Sequence, residues 1–190
     1  MNTFWGPLIV GQLEFYWDQI LRPRLDGLTD DEYLWEPVPG SWSIRKQPDG
    51  RYLPDMGYPE PDPPPLTTIA WRMMHIGAEC LYNRANAFFG DGDAPGDATM
   101  FDRRFLPSSL PGTADEAIAF MDEAYRRWHT GITSLTEEQL RAPLGPMGAG
   151  FADDPMAGLV VHISREVMHH GGEIGALRDL YRAGAGARLA

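Results

Sequence analysis

The chain has 190 residues, 43% of them hydrophobic and 11% aromatic, enough to bury a core without disulfides or structural metals. Its one cysteine, Cys80, excludes an intrachain disulfide. A net charge of −11 at pH 7 argues against nucleic acid, whose binding needs Lys and Arg to displace phosphate counterions, and against docking on anionic lipid.

The start, Met1 to Pro7, shows no basic segment followed by a small-residue cleavage site. No stretch of about 18 apolar residues is present to span a membrane. The expectation is a cytoplasmic protein folded as one domain over residues 1–190, acting on a small molecule rather than on nucleic acid or a membrane.

The first helix is expected from about Pro7 to Leu25, with Ile9, Leu13, Tyr16, Trp17, Ile20 and Leu21 on one side and Pro23 bending or ending it. A short helical piece follows at Thr29 to Trp35, where Thr29 and Glu32 have capping-box spacing. From Pro48 to Pro65 lie seven of the 17 prolines. Proline fixes φ and donates no hydrogen bond, so the stretch reads as a long loop, with an insertion at about 45–65.

The second long helix is expected over Leu66 to Phe89, with Trp71, Met74, Ala78, Leu81, Tyr82, Ala85 and Phe89 at three- and four-residue steps. Gly90 to Pro111 reads as a second long loop. The third helix begins at Thr113, where Thr113 and Glu116 again form a capping-box pattern. Its stripe is Ala117, Met121, Ala124, Trp128, Ile132 and Leu135. Asp154-Pro155 reads as an N-cap followed by proline at the first helical position. That fourth helix runs to about Arg182, and Gly184 stops it. No segment alternates with a two-residue period, so the expected class is all-α, a four-helix bundle with two long loops.

The fourth helix carries the chemistry. With Glu166 at zero, Leu159 and Leu177 lie about 20° away, His170 about 40°, Ile163 and Tyr181 about 60° and Ile174 about 80°. Glu166 and His170 thus share the apolar side, one turn apart. A carboxylate facing a core must be paired, protonated or metal-bound, and a His at i+4 offers a neutral nitrogen. His75, bordering the stripe of the second helix, is a third corner. Two nitrogens and an oxygen with an open position form a reactive rather than a structural metal set. Spacing alone leaves open a plain hydrogen-bonded Glu–His pair.

His162, one turn before Glu166 and about 40° toward the polar side, is a pocket wall, a group behind the ligands, or an alternative ligand. Glu173 is placed to orient a ligand. His169 points outward, to solvent or a partner surface, and His129 reads as structural. Cys80, one and a half turns beyond His75, falls on the far side of its helix and reads as a small buried hydrophobe.

These residues resemble the DinB-like superfamily of four-helix-bundle metalloproteins, which includes mycothiol-dependent maleylpyruvate isomerase and bacillithiol transferases. Three places carry the resemblance: Leu28 to Pro37 with Pro39 to Ile44, the helix around Met74-His75-Ile76, and Arg165 to Ile174 with Ala176 to Tyr181. Many such proteins carry His-x-x-x-His followed by Arg-Gly-Gln in the last segment. Here Glu166 stands at the first of those His, and Gly171-Gly172-Glu173 replaces Arg-Gly-Gln. The Glu-x-x-x-His form is similar to the maleylpyruvate isomerase branch, which implies His75, Glu166 and His170 as ligands of a divalent metal. Zn²⁺ is the first expectation, with Ni²⁺, Mn²⁺ or Fe²⁺ as alternatives.

The resemblance implies a thiol-dependent S-transferase or isomerase, with a low-molecular-weight thiol such as mycothiol as co-substrate, attacking small electrophilic molecules. Trp42 and the long loops would wall the pocket. Two other readings stay open: a metal-dependent hydrolase with Glu173 or His162 as base, and a non-catalytic metal-binding or interaction protein. A homodimer is a further expectation from the aromatic-rich composition.

Overall fold

The computed structural model describes residues 5–59, 61–90 and 95–185. Residues 1–4 of the start, Glu60 of the first loop and 91–94 of the second lie outside the described residues. The described chain is mostly helical, with one small two-stranded sheet, and no described helix is long and apolar enough to cross a membrane.

The first helical run begins with α1 (Trp5–Tyr16), continues through a π-helical stretch over Trp17–Leu21 and ends in α2 (Arg22–Arg24). The π stretch lies just ahead of Pro23, whose ring crowds the carbonyl four residues earlier and whose nitrogen cannot bond to it. Val10, Leu13, Trp17 and Leu21 are buried. Ile20, expected on the buried side, is exposed, because α-helical spacing does not hold across the wider turn.

Thr29 caps the short α3 (Asp30–Tyr33), its side chain accepting from the Glu32 amide at 3.3 Å. The capping box is only half made. The Glu32 carboxylate turns inward to Arg178 of the last helix, 2.7 Å from Nε and 3.1 Å from Nη2.

The proline-rich segment is not loop throughout. Strands β1 (Ile44–Lys46) and β2 (Tyr52–Pro54) pair antiparallel, with Ile44 opposite Pro54. The connection turns at Gly50, which takes a positive φ of 87° that glycine adopts without a steric penalty. Asp55 clamps the base of the hairpin through Ser43 and Arg45.

Thr68 then caps α4 (Ile69–Met74) by accepting from the Trp71 amide, so the second long helix starts three residues later than Leu66. It passes through a π-helical stretch over His75–Tyr82 into α5 (Asn83–Phe89). The described part of the second loop holds one short 3-10 turn, Arg103–Phe105.

Thr113 caps α6 (Ala114–Thr133), accepting from the Glu116 amide, while the Glu116 carboxylate reaches past it to the Gly112 amide. The stripe from Ala117 to Ile132 is buried as its spacing requires. After α7 (Glu137–Arg141), the last helix, α8, spans Met156–Leu180. Its N-cap is Pro155, with no side-chain cap, rather than Asp154. The Asp154 backbone is instead committed to Leu144, whose amide donates to the Asp154 carbonyl at 2.9 Å. Gly184, at φ 85°, ends the helical conformation.

Four helical runs surround the core: α1 packs on α8 and α6, and the α4–α5 run packs on α6 and α8. The buried centre of α8 is Val160, Ile163, Val167, Ile174 and Arg178. Glu166 and His170 sit at the edge of that face, turned toward the π stretch.

Candidate metal centre

Three helical positions meet at one carboxylate. His75 Nε2 lies 3.6 Å from Glu166 Oε2, and His170 Nε2 lies 3.3 Å from the same oxygen. The two imidazole rings stand nearly perpendicular, 4.7 Å between centroids. Their side chains are 24%, 23% and 12% exposed for His75, Glu166 and His170. The group is sheltered yet reachable from one side.

Each imidazole is held from behind. His75 Nδ1 is 2.7 Å from Glu79 Oε2, and His170 Nδ1 is 2.6 Å from Glu173 Oε2. A carboxylate only accepts, so both Nδ1 atoms carry the proton and both Nε2 atoms face Glu166. Arg72 pairs with Glu173 by charge, Nε 2.8 Å from Oε2 but not aligned for a hydrogen bond. Carboxylates behind ligand histidines fix ring orientation and tautomer in metal sites. A neutral Nε2 3.3 Å from a carboxylate oxygen sets two lone pairs against each other. A cation between them relieves this, so the donor set fits a divalent metal.

The charges follow from the surroundings. Burial alone would lower the pKa of His75, but the Cys80 thiol and the Glu79 carboxylate outweigh it and push it up to about 10. His170 goes the other way: burial lowers it, the Glu173 contact opposes, and the charges of His75 and Arg72 lower it further. Glu166 is held below the usual carboxylate range. Burial opposes this, but His162, His170 and His75 together prevail. At neutral pH His170 is neutral and Glu166 ionised, the forms that bind metal, whereas His75 carries a second proton in the metal-free site and must release it when a cation binds.

Cys80 was expected on the far side of its helix and is not there. Its Sγ lies 3.6 Å from His75 Nε2, and donor atoms of His75, Cys80 and Glu166 all fall within 4.8 Å of one another. In an α-helix five residues turn about 500°, leaving the pair about 140° apart. The π stretch runs from His75 to Tyr82, and its i→i+5 turn returns the fifth residue beneath the first.

His162 Nδ1 is 3.6 Å from Glu166 Oε1 and accepts from Arg165 Nη2 at 2.8 Å. Burial lowers its pKa, which agrees with a neutral acceptor beside the cluster. His169 is largely exposed, 3.5 Å from Glu173 Oε1. His169, His170 and Glu173 form a second close group, but there Arg72 already occupies the Glu173 oxygen that faces inward. His129 bonds Glu14 and stacks on Tyr125, away from the cluster.

Trp71, not Trp42, stacks on His75, with centroids 5.7 Å apart and planes 11° from parallel. Trp42 lies behind Trp71 at 6.0 Å and does not line the cleft. That cleft, about 540 Å³, opens over His75, Cys80 and Glu166, with Arg84, Phe101 and His162 on its walls. Arg84, Phe101 and His162 also line an adjoining pocket of about 450 Å³.

Sequence reasoning missed Glu79, Cys80, Arg72 and Arg84. The i,i+4 spacing of His75 and Glu79 was a usable signal for the first; the other three depend on the π turn and on packing between helices.

Comparison with curated proteins finds no match, and comparison with solved structures finds none. A family model described as the DinB superfamily matches residues 51–174, from the hairpin through the Glu166–His170 segment of α8. The chain belongs to the DinB superfamily.

Proposed function

We propose that the protein is a divalent-metal-dependent enzyme whose ion is held by His75, Glu166 and His170, and that its four helical runs form the four-helix bundle of its superfamily. The observation that carries this reading is the convergence of two carboxylate-backed Nε2 atoms on one oxygen of Glu166. Zn²⁺ suits two imidazoles and a carboxylate. When bound, a divalent cation supplies Lewis acidity and favours the deprotonated form of a coordinated thiol or water.

The reaction proposed is transfer or isomerisation of a small electrophile with a low-molecular-weight thiol such as mycothiol. The chain's own groups support it as follows. Glu79 and Glu173 keep both imidazoles aimed inward, and Arg72 keeps Glu173 in place. Trp71 shields the His75 ring from water. Arg84 lines the cleft with no carboxylate in ion-pair contact among the described residues, in a chain of net charge −11. Its Nη1 donates to the Asn83 side chain and the Met100 carbonyl, both neutral acceptors that leave its charge uncompensated. It is therefore placed to hold a carboxylate or phosphate of the substrate.

The test is incubation of Zn²⁺-loaded protein with mycothiol and monochlorobimane. The expected result is conjugation above the background of the Glu166→Ala protein. Equal rates for the two proteins, across Zn²⁺, Ni²⁺ and Mn²⁺, would contradict the thiol-transfer reading.

A further inference from the structure

We infer that Cys80 is a fourth protein ligand of the same ion, so that the resting site is a two-histidine, one-glutamate, one-cysteine set. This rests on the metal reading above and adds to it a donor of different chemistry.

The geometry is the argument. Cys80 Sγ is 3.6 Å from His75 Nε2 and within 4.8 Å of a Glu166 carboxylate oxygen. An ion about 2.0–2.1 Å from nitrogen and 2.3 Å from sulfur fits between His75 Nε2 and Cys80 Sγ at 3.6 Å, beside the Glu166 carboxylate. The sulfur reaches this place only because the helix is π-helical from His75 to Tyr82. A π turn inside an α-helix costs hydrogen-bond geometry and is frequent at functional sites. Cys80 is buried, yet it lines the same cleft as His75, Glu79 and Glu166. Packing alone would be served as well by Ala or Val on an ordinary α-turn.

The chemistry has two consequences. On binding, the Cys80 S–H bond breaks, the sulfur keeps the electron pair that forms the metal–sulfur bond, and the proton leaves to solvent through the cleft. A thiolate also shifts preference toward Zn²⁺ and away from Mn²⁺ and Mg²⁺, which favour oxygen ligands. The fourth position is then filled by the chain itself, and an incoming thiol must displace Cys80 or expand the coordination.

The test is the absorption spectrum of the full chain loaded with Co²⁺ in thiol-free buffer. The expected wild-type spectrum has visible d–d bands and a near-ultraviolet thiolate-to-cobalt band. Cys80→Ala and Cys80→Ser keep the visible bands, lose the near-ultraviolet band, and bind Co²⁺ about tenfold more weakly or worse. Bound Zn²⁺ also protects wild-type Cys80 from maleimide. Visible bands without the thiolate band in the wild type would overturn the Cys80 assignment and leave the three-ligand reading standing. No cobalt bands at all would overturn both.

Discussion

The guanidinium of Arg178 is fully buried and forms a two-pronged ion pair with the equally buried carboxylate of Glu32, 146 residues away in sequence. Arg178 also donates to the carbonyls of Arg24 and Asp26. The pair ties the turn after the first helical run to the last helix, two turns beyond His170.

Removing one partner leaves a buried charge without its counterpart. Glu32→Ala is expected to cost about 3–5 kcal/mol, read as a lower midpoint in urea unfolding. The double variant Glu32→Leu, Arg178→Met recovers most of that loss, because a well-packed apolar pair avoids the desolvation cost. A Glu32→Ala loss below about 1 kcal/mol would show that the pair does not hold the two segments together.

Glu173 orients His170 without joining the proposed ligands. Glu173→Gln is expected to weaken Zn²⁺ binding about 10–100-fold, measured by competition with a chromogenic chelator. The melting temperature of the metal-free protein changes little. Unchanged affinity would mean that the 2.6 Å contact with Nδ1 is not what aims the ring.

Two glycines predict opposite effects of one methyl group. A Cβ at Gly131 would collide with the Phe89 ring where the α4–α5 run crosses α6, so Gly131→Ala should destabilise by about 1–3 kcal/mol. Gly172 is exposed on α8 with nothing within 4 Å of an added Cβ. Gly172→Ala should stabilise by about 0.5–1 kcal/mol. Thermal unfolding of the two variants reads both signs.

Tyr33 gives the alkaline limb of stability. Its buried phenol donates to the Pro111 carbonyl at 3.1 Å, and burial, with smaller contributions from Glu116 and Asp30, raises its pKa. The unfolded phenol ionises near pH 10 while the folded one stays protonated, so the unfolded state binds fewer protons above that pH. Stability is therefore unaffected by this group below about pH 10 and falls above it, by about 1.4 kcal/mol per pH unit. Half-buried Tyr125, whose pKa is also raised, chiefly by burial, adds to the fall over the same pH range. Tyr33→Phe should flatten the fall, measured by urea titrations at pH 9 to 11; an unchanged slope would contradict this.

Helix periodicity made much of this molecule readable in advance. The caps at Thr29 and Thr113, the stripe of α6 and the shared side of Glu166 and His170 all follow from 100° steps and side-chain chemistry. Where the backbone leaves the α-helix, that rule fails. Ile20 is exposed and Cys80 faces His75 because each lies in a π stretch, which leaves no periodic mark. The β1–β2 hairpin was hidden because three-residue strands among prolines show no alternation. Arg178 reads as an ordinary helix-surface residue until Glu32, distant in sequence, is seen to face it. His75 could be offered as a third corner from its place beside the stripe of the second helix, but the choice of Glu166 over His162 came only by resemblance, since which side chains meet depends on how two helices pack.

The metal centre is tested most directly by an anomalous-scattering map from crystals grown with Zn²⁺, collected at the zinc edge. One peak is expected, about 2.0–2.2 Å from His75 Nε2, a Glu166 carboxylate oxygen and His170 Nε2. A peak instead among His169, His170 and Glu173, or no peak at either place, would contradict this assignment.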